Sequence, residues 1–155
     1  MRVGIGYDVH PLVRGRLLIL GGVTIDHTEG LEGHSDADVL THAVIDALLG
    51  AAGLGDIGEH FPADDAKFKN ASSLDMLSTA VASIRDAGYR VVHVDCTVIA
   101  QEPRLQPHVG EMKTNLEARL DGASANVKGK SPEGIGSLGA KAGIAAQAVA
   151  TIDEL

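Results

Sequence analysis

The sequence predicts a single α/β domain of the α+β type, in which a mixed β-sheet packs on helices over residues 1–155. Three observations predict it. A chain of this length fits one domain, which buries roughly 68–70% of its unfolded surface on folding. The composition, 45% apolar and 22% charged, is ordinary for a folded protein. Strand-like and helix-like segments follow one another without strict alternation and without repeats or linkers, which is typical of a mixed sheet on helices.

The first third of the chain carries two strand signals. Residues 2–10 are apolar at alternate positions, which predicts a strand. Residues 17–20 and 23–25 flank the pair Gly21-Gly22. Since paired glycines accept the positive φ of a tight turn, these residues predict a hairpin. The polar, glycine-rich residues 26–37 predict a loop.

Two helices are predicted from an apolar period near 3.6 residues. The first covers residues 38–49, with Ser35 or Asp36 as its N-cap and Gly50 at its end. Its apolar stripe consists of Val39, Leu40, Ala43, Val44, Ala47 and Leu48. The second covers residues 73–87 and begins with a capping box.

The second half of the chain predicts two more strands, a third helix and one ambiguous segment. Residues 89–100 alternate, with an apolar face made of Val92, Val94, Cys96, Val98 and Ala100. Pro107 opens the third helix, and residues 124–128 form a short strand. Residues 143–155 fit either element, and their pattern slightly favours a helix.

Charge and cysteine content exclude several classes of protein. The net charge of −8 argues against binding to nucleic acid or to an anionic membrane surface, because both require clustered Lys and Arg. Apolar runs are too short to span a bilayer. The single cysteine, Cys96, excludes an internal disulfide and fits a reducing compartment. We therefore expect a cytoplasmic protein.

Histidine is concentrated near the start of the chain, where five of the seven lie within the first sixty residues. Asp8 and His10 fall on the same face of a strand, and His42 on the following helix could join them. Two imidazoles and one carboxylate would leave one position of a tetrahedral Zn²⁺ open, as in catalytic sites. Asp46, one helical turn after His42, could accept a hydrogen bond from the His42 ring and fix its tautomer. The alternative is that each histidine only forms local hydrogen bonds.

Three loops carry further polar groups. Residues 33–36 could bind substrate or cap the next helix, and residues 55–58 could meet a polar ligand or simply form a glycine-rich turn. Residues 128–134 combine cations, a hydroxyl and a carboxylate, which suits a phosphate with a divalent cation. Their spacing is not that of a P-loop.

These motifs together resemble the 2-C-methyl-D-erythritol 2,4-cyclodiphosphate synthase family of the non-mevalonate isoprenoid pathway. The similarity runs from Gly4 to the C-terminus. It rests on four motifs, which are residues 8–10, 34–39 and 42–49, and residues 53–58 followed by Phe61-Pro62. Their combination in this order and spacing is specific, although no single motif is.

The resemblance implies a mixed sheet on one side and helices on the other, with a C-terminal strand in place of the helix that the pattern favours. It also implies a homotrimer with active sites at the subunit interfaces. The implied activity is that of a phosphorus–oxygen lyase. The 2-phosphate of 4-diphosphocytidyl-2-C-methyl-D-erythritol 2-phosphate attacks the β-phosphorus, which releases the cyclic 2,4-diphosphate and CMP.

The resemblance also assigns roles by position. It places Zn²⁺ on Asp8, His10 and His42, and a second ion, Mg²⁺ or Mn²⁺, on Glu133. His34 and Ser131 match the groups that stabilise the transition state. Residues matching the substrate contacts around the metal and the methylerythritol are Asp8, Val9, His10, His34, Ser35, Asp56, Ile57, Gly58, Phe61, Pro62, Ala63, Asp64 and Asp65. Those matching the cytidine pocket, contributed by the neighbouring subunit, are Ala100, Gln101, Glu102, Pro103, Arg104, Leu105, Gln106, Lys130, Ser131, Pro132 and Glu133.

Two segments depart from the family pattern. Lys130 adds a charge and Pro132 removes a backbone donor where the family usually has threonines. Residues 136–143 lack the aromatic side chain and the arginine that would line an isoprenoid-diphosphate cavity on the trimer axis. Lys141 could substitute for the arginine, so the sequence leaves open whether this cavity binds a regulatory ligand.

Three other functions compete with this interpretation. A zinc phosphoesterase on the same scaffold would use metal-bound water and release a linear product. A non-catalytic trimer would sequester isoprenoid phosphates, but the missing cavity residues count against it. A purely structural zinc site is disfavoured because three ligands leave one position open.

Overall fold

The computed structural model describes residues 1–155 and contains seven strands, five helices and two 3₁₀ turns. The strands are β1 (Arg2–Arg14), β2 (Leu18–Leu20), β3 (Val23–Ile25), β4 (Glu29–Leu31), β5 (Tyr89–Ile99), β6 (Ser124–Lys130) and β7 (Gly143–Glu154). The helices are α1 (Val39–Ala52), α2 (Ile57–His60), α3 (Ser73–Asp86), α4 (Val109–Glu117) and α5 (Gly136–Gly139), and the 3₁₀ turns are Ala66–Phe68 and Gln106–His108. No helix is both long enough and apolar enough to cross a membrane.

Five strands form one mixed sheet in the order β4-β1-β7-β5-β6. The central strand β7 pairs antiparallel with β1 and β5, while β6 runs parallel to β5. Strands β2 and β3 form a separate hairpin around Gly21 and Gly22, both at positive φ, which confirms the predicted turn. The fold is therefore the mixed sheet on helices that the sequence predicts.

Helix α1 packs closely on one face of the sheet because β1 carries glycines there. A Cβ atom added to Gly4 would lie 2.0 Å from the Ala47 carbonyl oxygen, and one added to Gly6 would lie 1.9 Å from that of Ala43. Only glycine permits this approach, since no side chain fits between the strand and the helix backbone. The approach fixes the position of α1 relative to β1.

The C-terminal segment is a strand, so the helix that its pattern slightly favours is wrong and the strand implied by the family resemblance is confirmed. Strand β7 lies between β1 and β5 and faces α1, and Ile144 to Ala146 are fully buried. Small alanines suit this position because the helix lies close to the sheet. Tertiary packing overrides the helical propensity of alanine here.

Other boundaries differ from the predictions for local reasons. The N-cap of α1 is Asp38, not Ser35 or Asp36, and the helix continues past Gly50 to a left-handed C-cap at Gly53. Strand β1 continues beyond residue 10 because β4 pairs with its second half. Pro107 lies in the 3₁₀ turn that precedes α4.

One residue predicted on the apolar face of β5 lies elsewhere. The pairing of β5 with β7 shifts register between Val91 and His93, and Val92 is left exposed. A bulge of this kind turns the extra side chain away from its neighbours. Val94, Cys96 and Val98 are buried as predicted.

The sheet face opposite the helices carries exposed apolar side chains. Val3, Ile5, Tyr7 and Val9 on β1 are 64%, 73%, 53% and 45% exposed, and Val149 on the adjacent strand is 43% exposed. The register brings Ile5 directly opposite Val149. Contiguous exposed apolar patches are typical of surfaces that interact with other molecules.

Candidate metal centre and its cavity

Asp8, His10 and His42 converge at the point where β1 crosses α1. The strand places Asp8 and His10 on the same face, and the helix directs His42 towards them. The Asp8 Oδ2 atom lies 3.0 Å from His42 Nδ1 and 3.0 Å from His10 Nε2. The candidate ligand atoms of the three side chains all lie within 4.8 Å of one another.

The donor set fits a transition metal. His10 Nε2 is buried and has no hydrogen-bond partner, although Asp8 Oδ2 lies nearby, because the atoms are not aligned for a hydrogen bond. A buried nitrogen without a partner is costly unless something else binds it. A cation between the three side chains would satisfy this nitrogen, and two imidazoles with one carboxylate suit zinc-like metals.

The charges within the cluster are strongly coupled. Burial alone would raise the pKa of Asp8, but its interactions with His10 and His42 lower that pKa to about 2. The neighbouring Asp8 carboxylate in turn raises the pKa of His10 against the effect of burial. Asp8 is therefore ionised at neutral pH and supplies a negative ligand atom.

The second ring nitrogen of His42 faces two hydroxyl groups. His42 Nε2 lies 2.8 Å from Ser73 Oγ and 3.1 Å from Ser35 Oγ. The prediction that Asp46 holds this ring is wrong, because Asp46 Oδ1 accepts a hydrogen bond from the backbone N–H of Ile57 at 2.9 Å. Asp46 thus connects α1 to the start of α2.

A cavity of about 210 Å³ opens over the cluster. Eight of the residues matched to substrate contacts line it, together with His42, Phe68 and Met76. The eight are Asp8, His10, His34, Ser35, Ile57, Gly58, Phe61 and Ala63. Phe68 and Met76 were not predicted to line it. The only feature of the sequence that could have indicated them is that both are apolar residues close to polar loops.

The other five members of that predicted set do not line the cavity. Val9 is exposed on the opposite sheet face, and Pro62 and Asp64 do not line the cavity. Asp56 caps α2 by accepting a hydrogen bond from the Glu59 N–H. The Asp65 carbonyl accepts one from His34 Nε2 at 2.9 Å, which fixes the tautomer of His34 and leaves Nδ1 free.

The predicted cytidine-pocket residues lie together elsewhere in the chain. A cavity of about 350 Å³ is lined by Ala100, Gln101, Glu102, Pro103, Arg104, Leu105, Gln106, Gly129, Lys130 and Ser131. It shares no residue with the cavity over the metal cluster. Pro132 and Glu133 do not line this cavity. Within a single chain, Glu133 therefore lines neither of the two cavities.

The loop after β6 is nevertheless ordered by specific contacts. Ser131 Oγ accepts a hydrogen bond from the Glu133 N–H at 3.0 Å, and Gln101 Oε1 accepts one from the Gly134 N–H at 2.9 Å. Lys141 Nζ lies 2.9 Å from Glu102 Oε1. These contacts connect residues 131–142 to the loop that lines the second cavity.

The fold and the cluster define an α+β protein in which three side chains that could hold a metal ion face a cavity. Comparison with known protein families identifies the family, because the sequence profile of the YgbB family matches residues 1–153. The chain therefore belongs to the YgbB family.

The proteins similar to this chain include curated relatives and solved structures. A Bordetella petrii protein named 2-C-methyl-D-erythritol 2,4-cyclodiphosphate synthase is 60% identical over 153 residues, which is 97% of this chain and 94% of that protein. The bifunctional IspDF of Campylobacter jejuni is similar in structure, with a TM-score of 0.94 and 42% identity over 99% of this chain. The match spans only 42% of that longer chain. The IspF of Plasmodium falciparum in complex with CDP has a TM-score of 0.84 and 32% identity, covering 99% of this chain and 96% of that one.

Proposed function

We propose that the chain converts 4-diphosphocytidyl-2-C-methyl-D-erythritol 2-phosphate into 2-C-methyl-D-erythritol 2,4-cyclodiphosphate and CMP. The observation that carries the proposal is the cluster of Asp8, His10 and His42 at the floor of a cavity, in a chain 60% identical to a protein of that name. The cavity is lined by polar groups for phosphate and by apolar groups for a small carbon skeleton.

The reaction needs no nucleophile from the protein. An oxygen of the substrate's 2-phosphate forms a bond to the β-phosphorus, and the bond from that phosphorus to the bridging oxygen breaks. CMP leaves with the bridging oxygen, and no water is consumed. The protein's task is to fold the substrate so that the 2-phosphate and the β-phosphorus meet, and to exclude water.

We propose that Asp8, His10 and His42 hold Zn²⁺ and that Glu133 holds Mg²⁺ or Mn²⁺. When bound, the two ions supply Lewis-acid polarisation of the β-phosphate and neutralise phosphate charge. Hard Mg²⁺ suits a lone carboxylate with phosphate oxygens and water. Glu133 is exposed, so its carboxylate is accessible to a ligand from outside the chain.

Side chains around the metal cluster have separate tasks in this proposal. His34, whose Nε2 is committed to a backbone carbonyl, presents Nδ1 towards the phosphates. Ile57 and Phe61 pack on the methylerythritol skeleton and exclude water. Ser131 and Lys130 stabilise the phosphates from the cytidine side. The two proposed metal ions would offset part of the negative charge of the substrate.

We propose that the active chain is a homotrimer in the cytoplasm, with each active site built by two neighbouring chains. The separation of the two cavities supports this arrangement, because one substrate would have to contact both. The exposed apolar face around Ile5 and Tyr7 supports it as well, since burial of such a face stabilises an oligomer. The single buried cysteine is compatible with a reducing compartment.

Light scattering tests the assembly. The mass is expected near three times the 16.0 kDa of the chain, and Ile5→Lys is expected to lower it. Leu17→Lys, at a residue 67% exposed beside the hairpin, is the matched control and is expected to leave the mass unchanged. A monomer mass for the unaltered protein would contradict the shared site.

Metal analysis with turnover tests the metal assignment. His42→Ala is expected to lose zinc and cyclising activity while remaining folded, because only two ligands remain. His27→Ala is the control, since His27 lines neither cavity. Full turnover in the His42 variant would exclude His42 from the reaction.

A further inference from the structure

Ser73 is a buried polar residue to which the proposed reaction gives no task. It is the first residue of α3 and is fully buried. Its hydroxyl contacts two side chains from other parts of the chain, namely His42 Nε2 at 2.8 Å and the Oδ1 atom of Asp36. Asp36 also accepts the Ser73 backbone N–H through Oδ2 at 3.0 Å.

The direction of these hydrogen bonds follows from the donors available. A serine hydroxyl has one proton, and a carboxylate oxygen can only accept. The Ser73 proton is therefore directed to Asp36, and Ser73 Oγ presents a lone pair to His42. Since a lone pair meets Nε2, that nitrogen carries a hydrogen.

Ser35 does not replace this contact. Its hydroxyl lies 3.1 Å from the same nitrogen, which is longer, and it also accepts a hydrogen bond from the Ala37 N–H at 3.2 Å. Unlike the Ser73 hydroxyl, it has no hydrogen bond to a carboxylate. Ser73 is the nearer acceptor and the one whose proton is committed elsewhere.

We propose that Ser73 and Asp36 are positioning residues that hold the His42 ring with Nε2 protonated and Nδ1 free to bind the metal. Nδ1 is the nitrogen that faces Asp8, at 3.0 Å from Oδ2. The chain His42–Ser73–Asp36 connects the metal ligand on α1 to the beginning of α3. The inference rests on the proposed metal site, because orienting Nδ1 matters only if a cation binds there.

Zinc affinity, measured by competition with a chromophoric chelator, tests the proposal in the full-length protein. Ser73→Ala is expected to bind zinc about 10–100-fold more weakly, the usual effect of removing a hydrogen-bond partner of a histidine ligand. Asp36→Asn is expected to weaken it too, because an amide has a single accepting oxygen. Ser72→Ala is the matched control, since Ser72 is the exposed N-cap of the same helix and does not contact His42.

Nitrogen NMR of histidine-labelled, zinc-loaded protein gives a signature that a loss of stability alone would not produce. The unaltered protein and Ser72→Ala are expected to show a His42 Nε2–H signal protected from exchange with water, and Ser73→Ala is expected to lose that protection. Unchanged zinc affinity and protection in Ser73→Ala would overturn the positioning role alone. Failure of the unaltered protein to bind zinc would overturn the metal site together with this role.

Discussion

Replacing Asp38 should cost far more stability than an ordinary helix cap. Its carboxylate is fully buried and accepts four hydrogen bonds. The donors are Thr41 N at 3.0 Å, Thr41 Oγ1 at 2.8 Å, Gly21 N at 2.9 Å and Gly22 N at 2.8 Å. One side chain therefore caps α1 and holds the turn of the β2–β3 hairpin against it. Burial raises the pKa of Asp38, and the bonds from Thr41 and Gly22 oppose that shift.

The magnitude follows from these contacts. A cap alone contributes about 1 kcal/mol, and a hydrogen bond to a charged group about 1.5–3 kcal/mol. The desolvation of the carboxylate offsets part of this sum, so we expect Asp38→Ala to lower the free energy of unfolding by about 3–5 kcal/mol. That is a large part of the ~5–15 kcal/mol that stabilises a typical domain.

Urea unfolding followed by far-ultraviolet circular dichroism, at fixed protein concentration, measures this loss. Ser72→Ala is the matched control, because Ser72 caps a second 14-residue helix through one hydrogen bond of 3.4 Å at an exposed position. We expect it to cost less than about 1 kcal/mol. Equal losses in the two variants would refute the reasoning that Asp38 connects the hairpin to α1.

Three further predictions concern packing, the thiol and the second metal. Gly6→Ala places a methyl group against the backbone of α1, so we expect a loss of about 3 kcal/mol or more in urea unfolding together with weaker zinc binding; unchanged stability would contradict the close approach. Burial raises the pKa of Cys96 to about 12. At pH 8, a thiol reagent should therefore label Cys96 on the order of a thousand-fold more slowly in native protein than in urea, because the thiolate is the reactive form. Rapid labelling of native protein would contradict the burial of Cys96. Glu133→Gln should shift the Mg²⁺ dependence of turnover to higher concentration with zinc content unchanged, and an identical Mg²⁺ titration would remove Glu133 from its proposed role.

Part of the metal cluster was predictable from local geometry, because two of its three residues lie on one strand. Residues 8 and 10 share a face of any regular strand, and His42 follows from a helix with a clear apolar stripe. The family resemblance was needed to place His42 beside Asp8 and His10, because spacing within a strand and within a helix does not show that the two elements meet. The chain's fold and family agree with that resemblance.

The partners of His42 were not predictable, because they depend on contacts between distant segments. Asp46 has the right helical spacing, yet the start of α2 takes its carboxylate. Ser73 lies 31 residues beyond His42 and has no signal other than its place at a helix start. Local spacing identifies candidate partners, and only the packing of α3 against α1 decides between them.

The C-terminal segment shows the limit of periodicity. Residues 143–146 are buried in succession, and buried positions then alternate with more exposed ones from Ala146 to Asp153. The sequence hides this alternation, because Val149 lies on the exposed face and the alanines of the segment favour a helix when taken alone. The position of a strand within its sheet is a tertiary property that a window of twelve residues does not contain.

Phosphorus NMR of the purified protein with 4-diphosphocytidyl-2-C-methyl-D-erythritol 2-phosphate and Mg²⁺ tests the central claim most directly. The spectrum should show CMP together with a cyclic diphosphate, and both should disappear when a zinc chelator is added. CMP with a linear product would mean that water, and not the 2-phosphate, attacks the β-phosphorus. Such a product, or no reaction at all, would contradict the proposed cyclisation.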